Sequence, residues 1–486
     1  MTDAIKRSGS TEYENGRVSL QVLSHSRTAV ERDCPAKYGY RYPDGLRPRA
    51  EKDPTRIRGR GMHEGLRAGF ETWAALKPLP VLHPIKDIVD AALGACAAAH
   101  SEALEELERA RLAGASVETV DAVLESLQDG YDADSWAVGH FFEVIAARDY
   151  ERKTPILIEH AFDVPVLDAA GSARHLRWIG YFDCVMYDSR TKVLELWEAK
   201  SVGTNAGSDE HRRRIEGDPQ TTSYVHALRH LQKTGQLDEA LLGVGLLEEQ
   251  ARRVPIGAVV VHVIRRKRPA EPKTLANGTV STDSRIDTLP VFYEKALEGQ
   301  QRPPALVEAE KAEREASSAL SAAYGAGDVD LTAKDIAKLE KAADRTMGSA
   351  EKKRQSFEAT KLKQRQLLEQ LERRGDPFLS EVEHFVTEQE VERWRGEQWI
   401  AAARMRRIEQ RPAERTRNLS FCTSPGRGCT YRTLCYSGGD PMIAAREFTT
   451  PEEREKMAAE AEAKALEQDR ARFDGVDGRY KAPAWG

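Results

Sequence analysis

The sequence predicts an α/β fold built on a mixed sheet with large helical insertions, and three observations carry this. Between Thr154 and Trp197, three runs alternate β-branched and aromatic residues with others: Pro155 to Phe162, Leu176 to Tyr187, and Lys192 to Trp197. A helical stretch from about Pro219 to Lys233 and a Val-rich strand from Ile256 to Arg265 follow, giving the order strand, strand, strand, helix, strand. The flanking segments are Ala- and Leu-rich with helical spacing.

The chain has 486 residues, room for roughly three structural units. Its 73 basic and 78 acidic side chains leave a net charge of −5, and 40% of residues are hydrophobic. That balance excludes a basic protein that coats nucleic acid and an acidic disordered chain. No stretch approaches the roughly 18 apolar residues that cross a bilayer, and the first residues lack the apolar run of a secretion signal. The expectation is a cytoplasmic protein without membrane contact whose six cysteines stay reduced, so that a cluster of them suggests metal before disulfide.

The elements follow in order. Residues 1–60 form an N-terminal segment: 1–20 are polar and loose, order begins near Val18, and Ser24 to Tyr42 reads as one short helix with Cys34 inside it. Residues 61–153 are mainly helical, with Asp87 to Leu112 and Ser116 to Leu127 separated at Gly114, and a further helix from Asp134 to Asp149. Residues 154–300 hold the α/β core, in which Ser201 to Gly217 reads as a basic loop. Residues 303–375, rich in Ala, Glu, Lys and Arg, read as a projecting, solvated helical arm or hairpin without chemistry of its own. Residues 376–445 form a C-terminal lobe, helical from Glu381 to Ile408 and then a cysteine-bearing loop from Asn418 to Gly439; 446–486 are a charged helix and a mobile tail.

The chemistry concentrates in the hairpin between Trp178 and Lys200. If its strands are symmetric about residues 190 and 191, cross-strand partners sum to 381, which sets Asp183 opposite Glu198. Glu198 and Lys200 then share a face with Leu194 and Leu196, a face that starts apolar and ends charged. Two facing carboxylates repel, and a divalent cation with a preference for oxygen ligands resolves the conflict. Lys200 is placed to orient a water or neutralise developing phosphorane charge. His63, early in a helix ahead of the sheet, offers a neutral imidazole to the same ion. Gln220 and Tyr224, four apart, share a helix face from which they can meet a nucleic-acid strand. Glu159, in the preceding strand, reads either as a carboxylate supporting the ligands from outside or as an exposed strand residue.

In this order, His63, Gly180-x-x-Asp183, Glu198-x-Lys200 and Gln220-x-x-x-Tyr224 resemble the RecB-like branch of the PD-(D/E)XK nuclease superfamily. The resemblance implies a restriction-endonuclease-like core and a Mg²⁺- or Mn²⁺-dependent phosphodiesterase. In it His63, Asp183, Glu198 and the Ala199 carbonyl hold the ion, and Lys200 assists the attacking water. Phe182 stands where the superfamily's name puts proline, as is usual for the Gly-x-x-Asp form of this branch.

Cys422, Cys429 and Cys435 fall within fourteen residues and need a fourth ligand for a closed site, for which Cys34 is the candidate. The surroundings of Cys34 and the final Cys-x5-Cys resemble nucleases of the same branch that carry a [4Fe–4S] cluster, among them CRISPR-associated RecB-like exonucleases and AddB-type nuclease domains. The six-residue gap before Cys429 departs from their two-residue gap and leaves Zn²⁺ as the alternative. A cluster here would clasp the two ends of the chain around the core. Cys184 and Cys96 read as packing.

DNA is the expected partner. Arg212, Arg213 and Arg214 are the first choice for phosphate contacts, ahead of the runs at Arg265 to Arg268 and Arg411 to Arg432, while Tyr38, Tyr40 and Tyr42 are candidates for stacking on bases or for packing. The resemblance implies digestion of single-stranded DNA ends in recombination, repair, CRISPR adaptation or phage DNA metabolism. No GxxxxGK[ST] motif occurs in the sequence, so a helicase or recombination protein is the expected source of unwinding. The alternatives are a structure-specific endonuclease and a DNA-binding scaffold with a structural metal cluster.

Overall fold

The computed structural model describes residues 21–48, 54–112, 117–168, 171–172, 176–203, 208–282, 287–325, 332–423 and 429–460. The expectations for 1–20, for Gly114, for part of the 201–217 loop, for residues 424–428 and for the tail from 461 lie outside the described residues. The chain divides into two compact units, one of Met1–Ala199, Arg213–Val261 and Val382–Gly486, the other of Lys200–Arg212 and His262–Glu381.

A mixed sheet organises the fold. Strand β1 (Gln21–Leu23) leads to helices α1 (His25–Asp33) and α2 (Pro35–Arg41), the short strand β2 (Arg47–Pro48), and three long helices, α3 (Pro54–Leu76), α4 (Pro84–Leu112) and α5 (Val117–Asp149). Then come β3 (Lys153–Pro165), β4 (Leu176–Asp188), β5 (Val193–Val202), α6 (Asp209–Glu216), α7 (Pro219–Lys233), α8 (Asp238–Gly243), α9 (Glu248–Ala251) and β6 (Ile256–Arg265). The sheet order is β1-β4-β5-β6-β7, with β3 also on β4 and β7 at Leu379–His384. Strand β4 is antiparallel to β3 and β5 and parallel to β1, so the sheet is mixed, as the alternating runs lead one to expect.

Local chemistry explains the bounds of several elements. The Asp218 carboxylate caps α7 by accepting from the Gln220 amide, and Pro219 takes the first helical turn, where a missing N–H costs nothing. Cys34 is not inside a helix: its backbone is extended, at φ −163°, and separates α1 from α2 because the ring of Pro35 disfavours helical conformation in the residue before it. The helices expected at 116–127 and 134–149 are one, α5, which runs through Gly130. A side chain there would strike Arg58, whose guanidinium makes two 2.7 Å bonds to Asp134 on the next turn. The 201–217 segment is not all loop, since it contains α6. Residues 379–384 are strand, not helix; the helix begins later, as α13 (Glu388–Gln410), fixed by a capping box between Thr387 and Glu390.

In the first unit, α3 lays Phe70 and Trp73 against Trp197 of β5, with ring centroids 6.1 and 6.2 Å away. Tyr224 of α7 stands edge-on to Phe162 and Phe182, and Trp394 of α13 edge-on to Trp178. The first unit also holds α14 (Leu419–Thr423), α15 (Arg432–Tyr436), α16 (Pro441–Glu447) and β8 (Phe448–Thr449).

The second unit contains α10 (Pro290–Glu298) and a helical pair, α11 (Pro304–Gly325) and α12 (Ala333–Arg374). Contacts of Ala305 with Lys353 and of Tyr324 with Glu340 make the pair antiparallel, and Arg354 bridges to Glu310 and Glu313. The end of α12 packs Leu367 and Leu371 on Val280 and Tyr293, and the Gln364 amide donates to the Val280 carbonyl at 2.7 Å, so α12 carries a small core of its own. Among the described residues, no helix is long and apolar enough to cross a membrane.

Candidate functional site

The β4–β5 hairpin closes through a turn that Asp188 stabilises by accepting from the amides of Arg190 at 2.8 Å and Thr191 at 3.0 Å. Its ladder runs from Asp188↔Val193 to Cys184↔Trp197. One step further, Asp183 stands opposite Glu198, the pairing that the sequence implies. At that step a side chain takes over from the backbone: Asp183 Oδ2 accepts the Ala199 amide at 2.9 Å. This anchor orients the carboxylate by one oxygen.

On the other edge of β4, the pairs Ile158↔Cys184 and His160↔Phe182 place Glu159 opposite Asp183. Glu159 is one of two described non-glycine residues with positive φ, at 43°. Such a conformation costs an L-residue about 1–3 kcal/mol. From α3, His63 reaches both acids: its Nδ1 lies 3.5 Å from Glu159 Oε1 and 3.9 Å from Asp183 Oδ1. His63 sits well inside α3 rather than near its start, because the helix begins earlier, at Pro54. One ligand atom from each of His63, Glu159 and Asp183 lies within 4.8 Å of the others.

Electrostatics mark the same place. The Glu159 hydrogen bond, helped by the charges of Asp183, Glu159 and Glu198, lifts the His63 imidazole to about 9, against burial, which works the other way. A site that holds a proton this firmly concentrates negative charge suited to a cation. The donor set fits one. One imidazole and two carboxylates, with ligand atoms within 4.8 Å of one another, are donors that a divalent cation accepts.

Glu198 is buried and turned toward α7, where Gln220 Nε2 donates to its Oε1 at 3.0 Å. The same Gln220 nitrogen lies 2.5 Å from the Tyr224 hydroxyl. Burial, then the charges of Glu198 and Asp183, push the Tyr224 phenol well above its usual range, so it stays protonated. Gln220 and Tyr224 are therefore attached to the acidic site itself. Lys200 follows Glu198 by two residues on β5 and is half-buried. Arg212, Arg213 and Arg214 are exposed on α6.

The cysteines expected to cluster all belong to the first unit. Cys34 and Cys422 are buried, and Cys429 and Cys435 half-buried. Burial pushes the Cys435 thiol up; Arg417 opposes this, and the charges of Cys34, Cys422 and Cys429 add to the rise. On Cys429, burial again leads, with Cys422 and Cys34 contributing. Cys34 and Cys422 are thus close enough to act on both Cys429 and Cys435. Around them the ends of the described chain interlock: β2 pairs antiparallel with β8, Arg415 forks onto Asp44 at 2.5 and 2.9 Å, the Asn418 amide donates to the Asp33 carbonyl at 2.8 Å, and Tyr431 stacks between Tyr40 and Phe448. The tyrosines near Cys34 therefore pack. Tyr38 is buried with its hydroxyl on Glu409 at 2.8 Å, which removes it from the candidates for base stacking, and Tyr40, half-buried, rests on Tyr431.

Sequence reasoning gave Glu159 little weight. Its position opposite Asp183 depends on a register shift between Pro155 and Leu157 that no residue type announces. A family model described as the PD-(D/E)XK nuclease superfamily matches residues 22–436, which include every residue of this site and Cys34, Cys422, Cys429 and Cys435. A search of curated proteins found no match.

Proposed function

The chain belongs to the PD-(D/E)XK nuclease superfamily, whose members are metal-dependent nucleases that typically use Mg²⁺ or Mn²⁺, and on that premise we propose that it is a RecB-like deoxyribonuclease that digests DNA from single-stranded ends. The observation that carries the assignment of residues is the hairpin register that sets Asp183 opposite Glu198, with His63 beside Asp183. In this reading His63, Asp183, Glu198 and the Ala199 carbonyl hold the cation. When bound, it polarises the scissile phosphate and makes water acidic enough to attack near neutral pH.

The chain's own groups do the rest. Asp183 is oriented by the Ala199 amide and Glu198 by Gln220, so neither carboxylate must reorganise as the reaction proceeds. Lys200 directs the attacking water and offsets charge on the phosphorane. Tyr224, buried, stays neutral and supports Gln220, which faces the DNA strand. Arg212, Arg213 and Arg214 contact phosphates, which gives binding without sequence preference.

We also propose that Cys34, Cys422, Cys429 and Cys435 bind a [4Fe–4S] cluster, supported by the interlocked segments that bring residues 33–48 beside residues 415–449. Recombination, repair or phage DNA metabolism is the proposed setting, with unwinding supplied by a helicase partner.

End-labelled single-stranded and duplex DNA, incubated with Mg²⁺ or Mn²⁺, should be shortened by the wild type and left intact by Asp183→Ala. Circular single strands should survive; their cleavage would replace the exonuclease reading with a structure-specific endonuclease. No cleavage with either metal would favour a DNA-binding scaffold. Protein isolated without oxygen should be brown, with broad absorbance near about 400 nm, whereas a colourless sample with stoichiometric zinc would refute the iron assignment.

A further inference from the structure

We propose that Glu159 is a ligand of the catalytic cation, so that the ion is gripped from α3, β3, β4 and β5 and not by the hairpin acids and His63 alone. This rests on the nuclease reading above and adds one residue to it.

Three observations converge. The first is placement: Glu159 stands opposite Asp183 across β3–β4, while Glu198 stands opposite Asp183 across β4–β5, so three adjacent strands each bring one carboxylate to the same level of the sheet. The second is reach. Glu159 Oε1 is closer to His63 Nδ1 than Asp183 Oδ1 is, at 3.5 against 3.9 Å, and these three residues present ligand atoms within 4.8 Å of one another. The third is conformation. At φ 43° the Glu159 backbone departs from strand geometry. A glycine would adopt this turn of the chain at little cost but would deliver no carboxylate.

The division of labour among the acids is consistent with this. Glu198 Oε1 accepts from Gln220, which ties that carboxylate to α7, and Asp183 Oδ2 is engaged by the Ala199 amide. Glu159 Oε1 lies beside the imidazole and Asp183 Oδ1, where it completes an imidazole–carboxylate–carboxylate set. Such a mixed nitrogen and oxygen set suits Mn²⁺ at least as well as Mg²⁺.

The competing role is that Glu159 only holds the His63 ring in place. Calorimetric titration of Mn²⁺ into the full chain, stripped of divalent metal and without DNA, separates the two. Glu159→Gln should weaken Mn²⁺ binding about tenfold or more, and should weaken it again when made on top of His63→Ala. A ring-holding residue has nothing left to hold once the imidazole is gone, so an unchanged affinity in that background overturns the proposal. Equal affinity of Glu159→Gln and wild type overturns it directly. Asp183→Asn distinguishes failure of this inference from failure of the reading beneath it: if that substitution also leaves Mn²⁺ affinity unchanged, the cation does not bind here and both fall. Unfolding of Glu159→Gln in EDTA at or above the wild-type temperature shows that lost affinity is not lost fold. Should that variant unfold early, Glu159→Ala in both backgrounds takes its place, with the same outcomes.

Discussion

Replacing Gly180 by alanine tests how tightly the site is built against its own core. Glycine is present here for space: a Cβ would lie 2.6 Å from Phe162 Cζ and 3.2 Å from both Cε atoms, about 1 Å inside an ordinary carbon contact. The Phe162 ring has little freedom to yield. It is buried, lies 4.6 Å from the Phe182 ring and 6.0 Å from that of Tyr224, and is the cross-strand partner of Gly180. Overpacking of this kind costs about 1–3 kcal/mol, and the reduced freedom of the unfolded chain returns about 0.4–1 kcal/mol, which leaves Gly180→Ala less stable by up to about 2.6 kcal/mol. The displacement passes through Phe162 to Tyr224, whose hydroxyl lies 2.5 Å from the Gln220 nitrogen that orients Glu198. Activity should therefore fall by more than the loss of folded protein accounts for. Urea unfolding followed by tryptophan fluorescence, beside metal-dependent DNA digestion at a temperature where the variant is fully folded, reads both effects. Phe162→Leu added to Gly180→Ala should restore part of each. Wild-type stability together with wild-type activity in Gly180→Ala would refute the reasoning.

Three further outcomes follow from the same structure. Gln220→Leu removes a donor from the buried Glu198 carboxylate, which should cost about 1–3 kcal/mol and lower turnover; a variant as stable and active as wild type would show that Glu198 does not depend on α7. Burial depresses the His226 imidazole to about 4, and its Nε2 donates to the Pro165 carbonyl at 3.0 Å. Below pH 6.5 the unfolded chain takes up a proton that the folded chain refuses, so stability is fully present above pH 6.5 and declines as the pH falls toward 4, by at most about 3 kcal/mol. His226→Gln should flatten that part of a plot of unfolding midpoint against pH. Lys153→Met withdraws a buried ammonium that sits 2.6 Å from Glu195, 3.8 Å from Asp149 and 4.9 Å above the Trp197 ring. Asp149 keeps Arg148 and Arg152, so the loss belongs at the lower end for a broken buried pair, about 3 kcal/mol, readable as a lowered urea midpoint.

The hairpin was legible because its two strands are symmetric about a polar turn, so that counting outward from residues 190 and 191 finds the partner of Asp183 without knowledge of the rest of the fold. Helix α7 was legible to the residue because Asp218 and Pro219 start it by local chemistry. What escaped depends on tertiary contacts. The glycine inside α5 at 130 makes room for Arg58 from another helix, which donates to its carbonyl. Strand β7 is six residues long and holds two glutamates, so its alternation is hard to tell from a helix start. Glu159 needed both a register shift and a left-handed backbone to meet His63, and neither can be seen in a glutamate between Ile158 and His160. The kink at Cys34 was readable in Pro35, but the helical spacing on either side outweighed it.

The pairing of β2 with β8 joins residues 47–48 to 448–449. During synthesis, about 400 residues must leave the ribosome between the two strands, which at about 5–20 residues per second takes about 20–80 s. Throughout that interval Tyr40 and Leu46 lack the apolar cover that Tyr431 and Phe448 later provide. A nascent chain, or one cut before residue 431, would thus be sticky and open to proteases around residues 40–48 until the later segment seals the earlier one.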